Sequence, residues 1–408
     1  MKAVMYGAGN IGRGFIGQIF SHSGYELCFI DVAEKVIEAI NREGRYPVRI
    51  LSNDSSTDIW IEGVTAIDGR NEEAASDTIA GADIMATAVG VRVLPFIAPV
   101  IARGLKKRFA GSAGPLNIII CENLIDANKA LESLIKNNLN GEEQKIFDER
   151  VGLVEASIGR MVPLQTPEMQ EGNPLRVCVE AYGFLPVDKD AFRGDIPSLK
   201  GMCPFDNFDF FIKRKLFIHN LGHAICAYLG MIRGDTYIFE TVGRGGILCI
   251  AQNAMLESAL ALASGYGASL ADLHHHIRDL LLRFSNKALG DTCARVGGDT
   301  ARKLGSNDRL VGALLSCLKE GVAPVFICAG IAAAVYCHLK ENGADQSREA
   351  ARTVLREVSG LGEDSVWIEN ILSFYLIFAA VPRDGNFDGA IEKIIKAAFS
   401  AGQKPGII

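Results

Sequence analysis

Three polar side chains, Lys215, Asn220 and His223, stand in the otherwise largely apolar run "KRKLFIHNLGH" at 213–223. On an α-helix, at about 100° per residue, Asn220 falls roughly 140° and His223 roughly 80° from Lys215, so the three share one arc and can converge on one object. Any one of them alone reads as an ordinary group of a packed helix: a lysine snorkelling to water, an amide or imidazole paired in the core. Together they describe proton chemistry. Desolvation disfavours the charged ammonium and makes a lysine in such a setting a candidate base. The asparagine can donate to a developing alkoxide, and the histidine can orient a hydroxyl group.

A second constellation opens the chain. "MYGAGNIGRGFIG" carries Gly-x-Gly-x-x-Gly at Gly7, Gly9 and Gly12, with Asn10 and Ile11 inside the turn, directly after a strand-like run and at the start of a helix. Such a turn lets the backbone approach a pyrophosphate and aims a helix N-terminus at it. Asp31 ends the next strand-like run, 19 residues beyond Gly12, where a carboxylate accepts from ribose hydroxyls and repels a 2′-phosphate. Val32 and Ala33 follow it, with no arginine to invite that phosphate, so the expected cofactor is NAD. Two further strand ends face the same ligand crevice. "ATAVG" (86–90) supplies Thr87, Ala88 and Val89, small enough for close approach, and "CENL" sets Asn123 toward the nicotinamide end or, alternatively, at an ordinary turn or cap.

The elements that must position these groups follow from periodicity. Up to about residue 125, short apolar runs ("KAVMYGAG", "ELCFID", "ADIMATAVG", "LNIIICEN") alternate with helical stretches, the pattern of a parallel, helix-covered sheet. "VGLVEAS" and "LRVCVEAYG" read as extensions of that sheet. From about 205 the pattern is almost wholly helical. The expectation is therefore an α/β Rossmann-type dinucleotide-binding domain over 1–200, followed by a mainly α-helical domain over 201–408, with the boundary near "GDIPSLKGMCPFDN".

Composition narrows the class. The 408 residues are 49% hydrophobic and 22% charged, with a net charge of −6 and no basic run that would suit nucleic acid. No segment approaches the ~20 uninterrupted apolar residues of a bilayer span, and the N-terminus enters a strand without a signal-like region, so a cytoplasmic protein with a small-molecule partner is expected. The ten cysteines are scattered singly in apolar contexts, without CxxC or HExxH spacing. The triplet His274, His275, His276 reads as a solvated tract, since adjacent helical residues point apart. No metal site is expected.

"GAGNIGRGFIG", "TAVG", "ENL", the Lys-x-x-x-x-Asn-x-x-His spacing and the later "RKL…DRL" resemble the mannitol dehydrogenase family of long-chain polyol dehydrogenases over nearly the whole chain. The resemblance implies a zinc-independent NAD-dependent oxidoreductase, with Lys215 as general acid/base and Asn220, His223 and Asn123 around the reacting oxygen. The likeness is greatest to members acting on a sugar phosphate, which implies interconversion of D-mannitol 1-phosphate and D-fructose 6-phosphate. "TARKLGSNDRL" then offers Arg302, Lys303 and Arg309 to the phosphate, or else these pair with Asp299 and Asp308 as surface charges. The chain departs from the family pattern in having Gly159 before Arg160, where an aspartate is common, and Gly298 and Thr300 where relatives often carry arginine and proline. Family members acting on free mannitol or on uronates share the lysine motif and remain alternatives, as do 6-phosphogluconate-type and hydroxyacyl-type dehydrogenases. A non-catalytic NAD(H) sensor would use the glycine turn but has no need of Lys215, Asn220 and His223.

Overall fold

Apolar strands separated by helices dictate the first of two units, Met1–Asp209 and Phe210–Ile408. In the computed structural model, which describes residues 1–362 and 366–401, the first unit contains β1 (Lys2–Tyr6), β2 (Glu26–Asp31), β3 (Arg45–Leu51), β4 (Ser56–Glu62), β5 (Val64–Asp68), β6 (Ile84–Thr87), β7 (Leu116–Ile120), β8 (Val151–Glu155), β9 (Val177–Glu180), β10 (Leu185–Asp188) and β11 (Met202–Phe205). Six of these form one parallel sheet in the order β5-β2-β1-β6-β7-β8. The strand order reverses between β1 and β6, the place where open α/β sheets bind ligands beyond their C-terminal strand ends. The central strands are apolar on both faces: Val4, Met5, Ile84, Met85, Ile118 and Ile119 are at most 1% exposed, as helix-covered parallel strands require.

"VGLVEAS" joins this sheet as β8, but "LRVCVEAYG" does not. Its strand, β9, pairs instead with β3 of a β3–β4 hairpin, forming a separate three-stranded sheet. The hairpin is built by "RYPVRIL" and "STDIWIE", paired antiparallel from Arg45–Glu62 to Leu51–Ser56, and the other edge of β3 takes β9 in parallel. The ion pairs of Arg49 with Asp58 and Glu171, and of Arg176 with the same two acids, tie it together.

The described part of the second unit is helical. Its elements include α1 (Leu221–Arg233), α2 (Gly245–Tyr266), α3 (Leu270–Phe284) and α4 (Val325–Glu341), with α4 buried over nearly its whole length against α1 and α2. Among the described residues, α2 alone is long and apolar enough to cross a membrane by length and composition, a feature the sequence reading did not register; half of that window is buried within the unit. The histidine triplet is mixed: His274 and His275 are exposed, whereas His276 is partly buried, and burial, with Arg214 and Arg283 nearby, pulls its pKa down to about 3.

Candidate functional site

The glycine turn is shaped by what it touches. Gly7 has φ +105°, and a Cβ there would lie 2.5 Å from the carbonyl oxygen of Ala88, while a Cβ on Gly12 would collide with the oxygen of Gly7. Gly9, in contrast, faces open space. After it the chain runs through a π turn, Gly12–Ile16, into a helix. Asn10 and Ile11 are half-buried at its entry. Asp31, at the end of β2, is drawn to the same turn: Oδ2 accepts from Ala8 N–H at 2.6 Å, and Oδ1 accepts from Val32 N–H at 2.7 Å and Ala33 N–H at 2.9 Å. A carboxylate offers about four acceptor positions, so one direction stays open to a hydroxyl donor. An open Gly9, a helix start and an oriented acid fit a dinucleotide.

The loop after β6 is fixed from two sides. Thr87 is fully buried and its backbone carbonyl accepts from Cys121 N–H at 2.9 Å, so it supports the loop from beneath, while Ala88 and Val89 are half-buried and rest against Gly7. On the far side Glu122, only 8% exposed, accepts from Val89 N–H at 3.0 Å and Gly90 N–H at 2.8 Å, one bond per carboxylate oxygen. Sequence reasoning missed Glu122. The signal was an acid directly beyond the buried strand β7. Asn123, its neighbour, is exposed in the loop that follows.

Two buried arginines brace this region. Arg13 donates Nε–H to the oxygen of Ala8 at 2.6 Å and also bonds the oxygen of Leu175, and its burial lowers its pKa. Arg160 donates to the oxygens of Gly14 (2.8 Å) and Tyr182 and to Gln18 Oε1 (2.6 Å), lying over the Phe15 ring. A Cβ on Gly159 would meet the Tyr182 ring at 2.9 Å, so a side chain before Arg160 would require that ring to shift.

In the second unit Lys215–Asn220 is a π turn continuous with α1. The 100° geometry expected of this stretch therefore does not hold. With i→i+5 bonding, residues five apart come round to nearly one side, so Lys215 and Asn220 are better aligned than on an α-helix. All three of Lys215, Asn220 and His223 are half-buried. His223 stacks on Phe284 (4.6 Å, 10°), and its Nε2 lies 3.1 Å from Asp291 Oδ2, within ion-pair distance though off-line for a hydrogen bond. Burial raises the pKa of Asp291, but the neighbouring His223 and Arg295 outweigh it, and the net shift is downward. Asp291 and Arg295 had no local sequence signal, standing about 70 residues from His223. His219, fully enclosed one turn before His223, is held far below the usual histidine range, chiefly by burial.

The three cations of "TARKLGSNDRL" have partners. Arg302 donates to Asp299 (2.5 Å) and Asp308 (2.6 Å), Arg309 to Asp308 (2.8 Å), and Lys303 turns inward to the oxygen of Gly298. Burial, reinforced by Arg309 and Arg302, lowers the Lys303 pKa to about 8. The predicted residues thus fall into three groups: the cofactor residues with Asn123 in the first unit, and the π turn with His223 and the cationic segment, both in the second.

With this geometry in hand, the comparisons are direct. The family model for the mannitol dehydrogenase Rossmann domain matches residues 1–201, and that for the mannitol dehydrogenase C-terminal domain matches 207–397. Among solved structures, the chain is similar to Pseudomonas fluorescens mannitol 2-dehydrogenase in a ternary complex with NAD and D-mannitol (TM-score 0.76, 16% identity, 97% of this chain and 94% of that one). It is equally similar to a D-sorbitol dehydrogenase in substrate-free form (TM-score 0.76, 15% identity, 96% and 95%). At such identities these likenesses establish the shared fold.

Proposed function

Since the chain belongs to the mannitol dehydrogenase family, we propose that it is an NAD-dependent polyol dehydrogenase interconverting D-mannitol 1-phosphate and D-fructose 6-phosphate. When bound, NAD accepts the hydride. The chain's own residues do the rest: the open turn at Gly9 and the acid at Asp31 hold the dinucleotide, with Ala88 and Val89 beside the turn. Lys215 Nζ takes the hydroxyl proton during oxidation and returns it during reduction. The side-chain amides of Asn220 and Asn123 donate to the oxygen as its charge develops, and His223 orients it.

The observation that carries this reading is the π turn at Lys215–Asn220, which aligns a lysine and an amide just ahead of an oriented histidine. π turns inside α-helices are frequent at functional sites. An NAD(H) sensor has no use for that arrangement. A second reading, a free polyol or uronate as substrate, draws support from the pairing of Arg302 and Arg309 with Asp299 and Asp308, which leaves the cationic segment only one net positive charge over its three cations.

The deciding experiment follows NADH oxidation with fructose 6-phosphate, free fructose, fructuronate and tagaturonate. Fructose 6-phosphate is expected to give the highest kcat/KM. A preference for one of the others replaces the substrate, and NADH binding without turnover of any of them returns the sensor.

A further inference from the structure

His223 has a partner that nothing in its own helix supplies. Gly230 lies seven residues after His223, on the same face of α1. A Cβ there would lie 2.7 Å from Cys293 Sγ and overlap Thr241, so the chain around 291–293 packs directly on that face. That chain is pinned by its backbone: Asp291 O accepts from Ile238 N–H at 2.9 Å, Cys293 N–H donates to Thr236 O at 2.9 Å, and Thr292 bridges Tyr237. The Asp291 side chain is 9% exposed. Its two oxygens divide the work: Oδ2 approaches His223 Nε2, and Oδ1 accepts from Nε and a terminal nitrogen of Arg295. Arg295 is placed by the short helix Cys293–Gly297, whose N-cap Thr292 accepts from Arg295 N–H at 3.2 Å. Phe284 covers one face of the imidazole.

We infer that Asp291 and Arg295 are positioning residues for His223: the carboxylate selects the tautomer protonated at Nε2 and leaves Nδ1 as the nitrogen offered to the substrate hydroxyl. The inference rests on the reading of His223 as a substrate-orienting group. Arg295 fixes the outcome by occupying Oδ1, so that only Oδ2 is left for the ring. Hydrogen bonds of catalytic side chains are commonly long or poorly aligned in the absence of substrate, and the 3.1 Å approach of Oδ2 to Nε2 is of that kind. A merely structural pair would also bury an acid beside a histidine. It would not make turnover depend on which ring nitrogen carries the proton.

The isosteric Asp291→Asn variant separates the two. Because Arg295 donates, it holds the amide oxygen on its own side and turns the NH₂ toward His223, where only an unprotonated Nε2 can accept it. Replacing a carboxylate that orients a catalytic imidazole by its amide is known to enforce the wrong tautomer and to lower kcat steeply. ¹⁵N NMR of the seven histidines at pH 8.5, with His223→Gln identifying the resonance, is expected to show Nε2–H in the wild-type protein and Nδ1–H in Asp291→Asn. Alongside it, kcat for ketose reduction should fall by about 10²–10⁴-fold, with NADH affinity by fluorescence unchanged. Nδ1–H in the wild type, an unchanged tautomer in the variant, or a flipped tautomer with normal kcat each overturns the assignment. The wild-type spectrum needs neither a variant nor a substrate. If no ketose is turned over, the proposed function falls while the tautomer still decides the arrangement.

Discussion

Asp31 engages three backbone N–H groups with two oxygens, so it shapes the turn besides the ribose contact proposed for it. Replacing it by alanine removes the acceptor and the negative charge that repels a 2′-phosphate. Asp31→Ala should therefore lower kcat/KM for NAD by about 10–100-fold, the cost of one or two charge-assisted bonds, while changing kcat/KM for NADP little. Parallel kinetics with both cofactors read the ratio, and an unchanged preference would place Asp31 away from the ribose. Lys215 makes a sharper demand. If Lys215 carries the proton as proposed, Lys215→Ala should cut kcat by about 10²–10⁴ and abolish the fall in alcohol-oxidation rate on the acidic side of the pH profile, with NADH affinity intact. Turnover close to normal would sink the mechanism.

At the scale of elements, α2 and α4 are joined by a carboxylate. Glu257 on α2 accepts from Phe326 N–H at 2.8 Å and Ile327 N–H at 2.9 Å, capping the start of α4. Although the residue as a whole is only partly buried, burial of its carboxyl outweighs those bonds and pushes its pKa from 4.5 up to about 8. A folded-state pKa raised above the unfolded value means the folded form holds its proton longer. The associated stability is complete below about pH 4.5, declines as pH rises, and is gone above about 8. Glu257→Gln lacks the titration, so between pH 5 and 9 its melting temperature should rise relative to wild type. With relaxation of the site, the gain is on the order of 1–3 kcal/mol, roughly 2–10 °C for a unit of this size. A difference that stays flat with pH would show that Glu257 is already ionised in the fold. What the sequence revealed at this scale was whatever is local. The strand-to-helix turn with its acid, and the helical second half, follow from residue types at short spacing. The π turn at Lys215 was not legible, because hydrophobic periodicity does not distinguish i→i+4 from i→i+5 bonding over one turn. Nor were Glu122 and Asp291, whose partners are set by strand order and helix packing. β9 reads as a strand of the main sheet because its apolar run carries no mark of which edge it will meet.

Over the whole molecule, the net charge of −6 opposes a doubly charged substrate only weakly, since at ~0.1 M salt charges more than about 10 Å apart are screened. Recognition of the phosphate of the proposed substrate must then be local. Arg302, Lys303 and Arg309 stand against Asp299 and Asp308, a balance of three positive and two negative charges. Arg302 is the exposed member and Lys303 is buried, so Arg302 is the one able to turn from its carboxylates to a ligand. Arg302→Ala reduces the local balance to two against two and takes from Asp299 and Asp308 the guanidinium they share. KM for fructose 6-phosphate should rise about 10–100-fold, KM for free fructose should change little, and NADH affinity should be unaffected. Salt supplies an independent reading. Raising ionic strength from 0.05 to 0.3 M should raise the wild-type KM for fructose 6-phosphate and flatten in the variant, because the attraction being screened is the one removed. Equal effects of Arg302→Ala on both ketoses, or a KM for fructose 6-phosphate indifferent to salt in both proteins, would mean that the segment is paired surface charge and that the phosphate, if recognised at all, is held elsewhere.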